Sequence, residues 1–107
     1  MKNLNKTKPF HVIAVGELLI DLIGKNKADS LQDTLAFERF AGGSPANFAR
    51  NLSKLGSQVK LVASIGEDGL GRYLQSELLA LDMDCSGVKM RPNFPTTIIT
   101  VAKTEGT

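Results

Sequence analysis

Ala41-Gly42-Gly43-Ser44-Pro45-Ala46-Asn47-Phe48-Ala49 is the stretch on which the reading of this chain turns. Two glycines run into a Ser-Pro pair, and Asn47 follows within one helical turn. Glycine has no Cβ, so its backbone can lie directly against a ligand or another chain segment. Ser44 is suited to cap a helix, and Pro45 to open it. The N–H groups of that helix then point back at the glycines. The segment has two readings. One is a strand-to-helix turn with ordinary capping. The other is a polar-ligand site: Gly42 and Gly43 supply backbone amides, and Asn47 supplies a side chain that both donates and accepts.

Downstream, Phe48, Leu52 and Leu55 recur at helical spacing and predict one buried stripe, ended by Gly56. Val59 to Ile65 is an apolar strand closing at Gly66. Asp68 caps a second predicted helix over 69–81, with Leu74, Leu78 and Leu81 inward. Ser86 to Met90 and Thr97 to Ala102 read as short strands. Upstream, Phe10 to Val15 is an unbroken apolar run, as in a strand covered on both faces. Leu18 to Ile23 reads as extended and broken at Gly24. Lys25 to Asp33 reads as a polar loop, and Leu35 to Phe40 as an exposed strand. Strands alternating with helices predict a parallel α/β sheet with right-handed crossovers. The exposed strands then lie off that sheet.

Asp21 is the second candidate. It follows an apolar strand, and α/β folds bind ligands outside the carboxyl ends of their strands. A carboxylate accepting from two neighbouring hydroxyls is a strong sugar contact. The same residue also reads as a solvated acid at a strand end. Glu17 is a weaker candidate. The run Gly66-Glu67-Asp68-Gly69-Leu70-Gly71 has the wrong spacing for a dinucleotide fingerprint and reads as a capping turn. No glycine run is followed by Lys-Ser or Lys-Thr, so no phosphate loop of that kind is present.

Composition narrows the class. The chain has 107 residues, 42% of them hydrophobic, enough for one small core. A net charge of +2 is too mild to argue for nucleic acid or an anionic membrane as partner. Lone His11 and lone Cys85 make no metal-ligand cluster and no nucleophile–base pair. Cys85 reads as a free structural thiol, which points weakly to a reducing compartment. Lys2, Lys6 and Lys8 precede the apolar stretch Val12 to Ile23, but Glu17 and Asp21 interrupt it and no cleavage site follows. A cytoplasmic protein with no membrane span is expected. Residues 1–9 read as a frayed polar start. Residues 103–107 read as a turn with no strand after it, so an N-terminal fragment of a longer protein is expected.

These motifs carry a resemblance. Gly42-Gly43-x-Pro45-x-Asn47-x-Ala49, then Gly56, Gly66-x-Asp68-x-x-Gly71 and Gly16-Glu17-Leu18-Leu19-Ile20-Asp21 resemble the N-terminal part of PfkB-type (ribokinase-like) carbohydrate kinases. The Gly16 to Asp21 segment looks most like fructokinases. The resemblance implies a Rossmann-like, ribokinase-like α/β fold: a parallel sheet with helices on both faces, plus a small β-strand lid. It implies transfer of the ATP γ-phosphoryl group to a sugar hydroxyl, with Asp21, Gly42, Gly43 and Asn47 holding the small-molecule sugar. Strands at about 18–23, 35–40 and 97–102 would form the lid, which in such proteins often packs against a second subunit in a homodimer. ATP and Mg2+ would serve the complete enzyme. The catalytic Asp and the ATP site would lie downstream, so these 107 residues supply no catalytic residue and are expected to be inactive alone. The same resemblance fits a 2-keto-3-deoxygluconate kinase, a ribokinase or a nucleoside kinase. A non-catalytic sugar-binding module would keep the same four residues.

Overall fold

The computed structural model describes residues 10–104. Its elements are β1 (Val12–Val15), β2 (Leu19–Lys27), β3 (Phe37–Gly42), α1 (Ser44–Lys54), β4 (Val59–Gly66), α2 (Gly69–Ala80), β5 (Val88–Arg91) and β6 (Ile98–Lys103). They form two three-stranded sheets. One is parallel, in the order β1-β4-β5. The other has the order β3-β2-β6, with β3 antiparallel and β6 parallel to β2. The strands read as exposed therefore do lie off the parallel sheet. The expected start at 1–9 and the last three residues of the expected turn at 103–107 lie outside the described residues. Lys103 itself is still strand.

In β4 every second side chain is buried: Val59, Leu61, Ala63 and Ile65 turn inward, while Val62 and Ser64 face out. The inward set packs with Ala46 and Ala49 of α1, Leu74 and Leu78 of α2, and Ala14 of β1. Each step of β1-β4-β5 moves the same way across the sheet, so right-handed crossovers put both helices over one face. The helices expected on both faces thus cover one face among the described residues. The opposite face leaves Ile13 60% and Val15 69% exposed, which corrects the reading of β1 as covered on both sides. Ile20, fully buried in the second sheet, joins the same core, so the two sheets share it.

The stripe on α1 also differs from expectation. Ala46, Ala49 and Ser53 face the core, while Phe48 is 56% and Leu55 83% exposed. Leu52 packs half-buried against the core as expected, but small side chains make the closest contact with the sheet, and Phe48 and Leu55 are left exposed. Gly56 ends it as expected. With φ near 95°, it donates to Ser53 O and Ser57 donates to Leu52 O, which pairs two of the last-turn carbonyls. On α2 the expectation holds for Leu74 and Leu78, and Leu81 packs half-buried beside them.

β2 does not break at Gly24. A Cβ there would press on the Thr34 methyl at 3.0 Å and on Lys103 N at 3.3 Å, so glycine allows neighbouring segments to close in. The strand continues to Lys27, with a register shift against β6 after Ile23. Asn26 then ties the loop: its amide donates to Asp33 O and its Oδ1 accepts from Leu35 N. No helix among the described residues is long and apolar enough to cross a membrane. Burial pushes the Cys85 thiol pKa up, and nearby Asp84 adds to it, as suits an inert packed thiol.

Candidate functional site

Two turns meet back to back where β1 leaves the parallel sheet and β3 enters α1. Gly16 lies against the Pro45 ring, with no room for a Cβ between them. Gly43, at φ near 101°, lies on the Glu17 carbonyl, again with no room for a Cβ. This contact makes Gly43 the N-cap of α1 and Ser44 its first residue, one position earlier than the sequence suggests. The Gly43 carbonyl accepts the first helical bond from Asn47 N at 2.8 Å. No side-chain hydrogen bond caps the helix and its first turn holds no acid, so its positive end faces the Asp21 side of the junction uncapped.

Gly42 completes the junction. It pairs with Leu19 across β2 and β3, while Asp21 pairs with Phe40. Leu19 and Asp21 share a face because side chains alternate along a strand. The Asp21 carboxylate folds over the Gly42 Cα and fills the space a side chain would need. Asp21 is half-buried and Gly42 buried. On the other side Asp21 pairs with Ile99 of β6, so its carboxylate stands between two apolar neighbours, Phe40 and Ile99. A hollow of about 460 Å³ continues along the same sheet, lined by Ile23, Glu38, Phe40 and Val101 among others.

Asp21, Gly42 and Gly43 are therefore brought together. Asn47 is exposed one turn into α1, and its Oδ1 accepts from Arg50 at 3.3 Å. The same Arg50 nitrogen donates to Ala41 O at 3.4 Å, joining Asn47 to the end of β3. Arg50 leaves the Asn47 amide nitrogen as the group able to donate outward. The Glu17 side chain is exposed, and its part here is its backbone carbonyl.

Sequence reasoning missed Arg50 and Thr96. Arg50 lies three residues after Asn47, the spacing at which helical side chains meet, and that signal was available. Thr96 gave none. The run Gly66 to Gly71 is a capping turn, as expected, with Asp68 Oδ1 accepting from Gly71 N at 2.8 Å. Thr96 binds both carboxylate oxygens of Asp68, through its hydroxyl at 2.7 Å and its N–H at 2.9 Å. Those hydrogen bonds, with the one from Gly71, lower the Asp68 pKa to about 2. Arg39 of β3 stacks on Tyr73 of α2, 3.8 Å from the ring centre, and the Tyr73 hydroxyl donates to Glu77. No group of three or more His, Cys, Asp or Glu among the described residues could hold a metal ion.

Comparison with known proteins fits this architecture. Residues 10–107 match the pfkB family of carbohydrate kinases. An uncharacterized sugar kinase of Pyrococcus horikoshii is 42% identical over 77 residues, 72% of this chain and 24% of that protein. Its crystal structure in complex with ATP superposes with a TM-score of 0.80, covering 83% of this chain and 29% of that one. An ATP-dependent 6-phosphofructokinase of Thermoanaerobacterium thermosaccharolyticum is 34% identical over 99 residues, 92% of this chain and 30% of its own. The fructokinase of Halothermothrix orenii superposes with a TM-score of 0.83 at 36% identity, covering 87% of this chain and 34% of that one. The chain thus spans about a quarter to a third of the length of these relatives. With a match over residues 10–107, the chain belongs to the pfkB family of carbohydrate kinases.

Proposed function

We propose that this chain supplies the acceptor half-site and lid of an ATP-dependent sugar kinase whose acceptor is a fructose-like sugar. The observation that carries the reading is the Asp21 carboxylate laid over the buried glycine Gly42, next to Gly43 and the uncapped start of α1. Asp21 would accept hydrogen bonds from two adjacent sugar hydroxyls, each strengthened by its charge. The Asn47 amide nitrogen would donate to a further hydroxyl oxygen, and the positive end of α1 favours electron-rich oxygen nearby. Phe40 and Ile99, paired on either side of Asp21, would keep water from the face of the ring that they cover. Fixing the acceptor hydroxyl in this way is the larger part of what a phosphoryl-transfer enzyme must do.

The described residues hold no cluster of three or more His, Cys, Asp or Glu, and no glycine run is followed by Lys-Ser or Lys-Thr. On this reading the nucleotide, the metal and the catalytic base belong to parts of the protein outside these residues. The strands β2, β3 and β6 are the lid, and homodimerisation through it is part of the proposal. So is a cytoplasmic location.

Titration of the chain with D-fructose by calorimetry or ligand-observed NMR tests the reading. Saturable binding that Asp21→Asn removes supports it. Binding that survives in Asp21→Asn overturns the role of the carboxylate. D-ribose and 2-keto-3-deoxygluconate in the same titration separate the substrate classes. The relatives named as fructokinase and 6-phosphofructokinase favour a fructose skeleton, free or phosphorylated.

A further inference from the structure

β6 is the outer strand of the small sheet, bonded along one edge to β2 and solvent-exposed through most of its length. An edge strand held by a single partner is free to peel away. Its approach, however, is fastened. Thr96, 4% exposed, stands two residues before β6 and makes three strong contacts with the turn between β4 and α2. Its hydroxyl donates to Asp68 Oδ1 at 2.7 Å, its N–H donates to Asp68 Oδ2 at 2.9 Å, and its hydroxyl oxygen accepts from Gly66 N at 3.0 Å. The turn is shaped for this. A Cβ on Gly66 would meet Phe94 O at 2.6 Å as well as the Thr96 backbone, and one on Gly71 would overlap Gly66 O. One residue on, Thr97 O accepts from Ile20 N at 2.9 Å, and the β2–β6 register begins at Ile20 with Ile98. That register sets Ile99 beside Asp21.

We propose that Asp68 and Thr96 are positioning residues: together they anchor the start of β6 to the parallel sheet and thereby fix the wall of the Asp21 site. The sugar-site reading enters only in what that wall serves. The anchor itself is a property of the chain without ligand. Asp68 has a double task, because the same carboxylate caps α2. The two tasks separate in part, because Oδ1 serves both and Oδ2 serves the anchor alone. In Asp68→Asn the amide oxygen still accepts from Gly71 N, so the cap survives. The amide nitrogen then faces Thr96 N–H, donor against donor, so that bond is lost while the Thr96 hydroxyl keeps only its contact with Oδ1, and the anchor is weakened.

Amide hydrogen exchange on the full chain without sugar tests this. In Asp68→Asn, exchange across 96–103 should rise by roughly ten- to a hundredfold, the range expected for a lost charge-assisted hydrogen bond. Protection in β1, β4 and α2 should stay as in the wild type. Thr96→Val should behave in the same way, and Thr96→Ser, which keeps the hydroxyl, should restore protection. Unchanged exchange at 96–103 overturns the proposal. So does a rise shared equally by both sheets, which would make the pair a general stabiliser. If Asp68→Asn and Thr96→Val both fail to fold, the Ser variant decides: wild-type protection supports the hydroxyl's role, and loss of folding there too overturns it. Adding D-fructose afterwards probes the sugar site separately. Anchored strands without binding would sink the sugar reading and leave the anchor standing.

Discussion

Gly42 and Gly43 are adjacent, yet an added methyl would meet different things. At Gly42 it would run into the Asp21 carboxylate, a side chain that can swing aside. At Gly43 it would run into the Glu17 carbonyl, at a φ of 101° that L residues rarely adopt. Gly42→Ala should therefore cost little stability but displace Asp21, lowering fructose affinity by about tenfold or more, as loss of a hydrogen bond to a charged group implies. Gly43→Ala should destabilise by about 1–3 kcal/mol, the usual cost of a strained backbone conformation. Urea unfolding of both variants beside fructose titration checks the pair. A large stability loss at Gly42, or none at Gly43, contradicts the geometry. The glycine pair was legible in the sequence because a turn into a helix demands it. The Asp21 contact was not, since nothing in residue spacing shows that a carboxylate twenty-one positions earlier fills the missing side chain's place.

Asp68 links an element boundary to acid stability. Its pKa is lowered from 3.8 to about 2, first by the Thr96 hydroxyl, then by the Thr96 and Gly71 N–H groups. A lowered pKa in the folded state means the ionised form is favoured by folding. The stabilisation is complete above about pH 4 and disappears as pH falls through about 2. The wild type should show an increment of stability lost between pH 4 and 2 that Asp68→Asn lacks. Urea midpoints at pH 2, 3, 4 and 5 measure it, and parallel curves for the two proteins would contradict it. The helices show why one element was read well and another was not. On α2 the large residues Leu74 and Leu78 face the core, so hydrophobic spacing finds the right stripe. On α1 alanines face the core with Leu52 beside them, while Phe48 and Leu55 stay exposed, so the same rule finds one of its three residues. Periodicity weights residues by size, and a helix packed close through small residues inverts that weighting.

At the scale of the molecule, one core serves two sheets, and the parallel sheet has a packed face and a bare one. Leu78 is 1% exposed on the packed side, in the cluster that includes Leu61 and Leu74. Val15 is 69% exposed on the other side, opposite Val62 in the register. Sequence pattern alone could not divide these faces, because β1 is apolar on both of them. Energetics can. Leu78→Ala removes buried methyl groups and leaves a cavity, so it should cost about 2–5 kcal/mol. Val15→Thr changes a mostly solvated side chain and should stay within about 0.5 kcal/mol of the wild type. Urea unfolding of the two variants at one protein concentration gives the contrast directly. Comparable losses would mean that the Val15 face is covered in solution, and the wild-type midpoint should then rise with protein concentration, as association of folded chains requires. A large loss at Leu78 with none at Val15, and a midpoint independent of concentration, would establish that this chain folds on its single shared core with the second face of the parallel sheet in water.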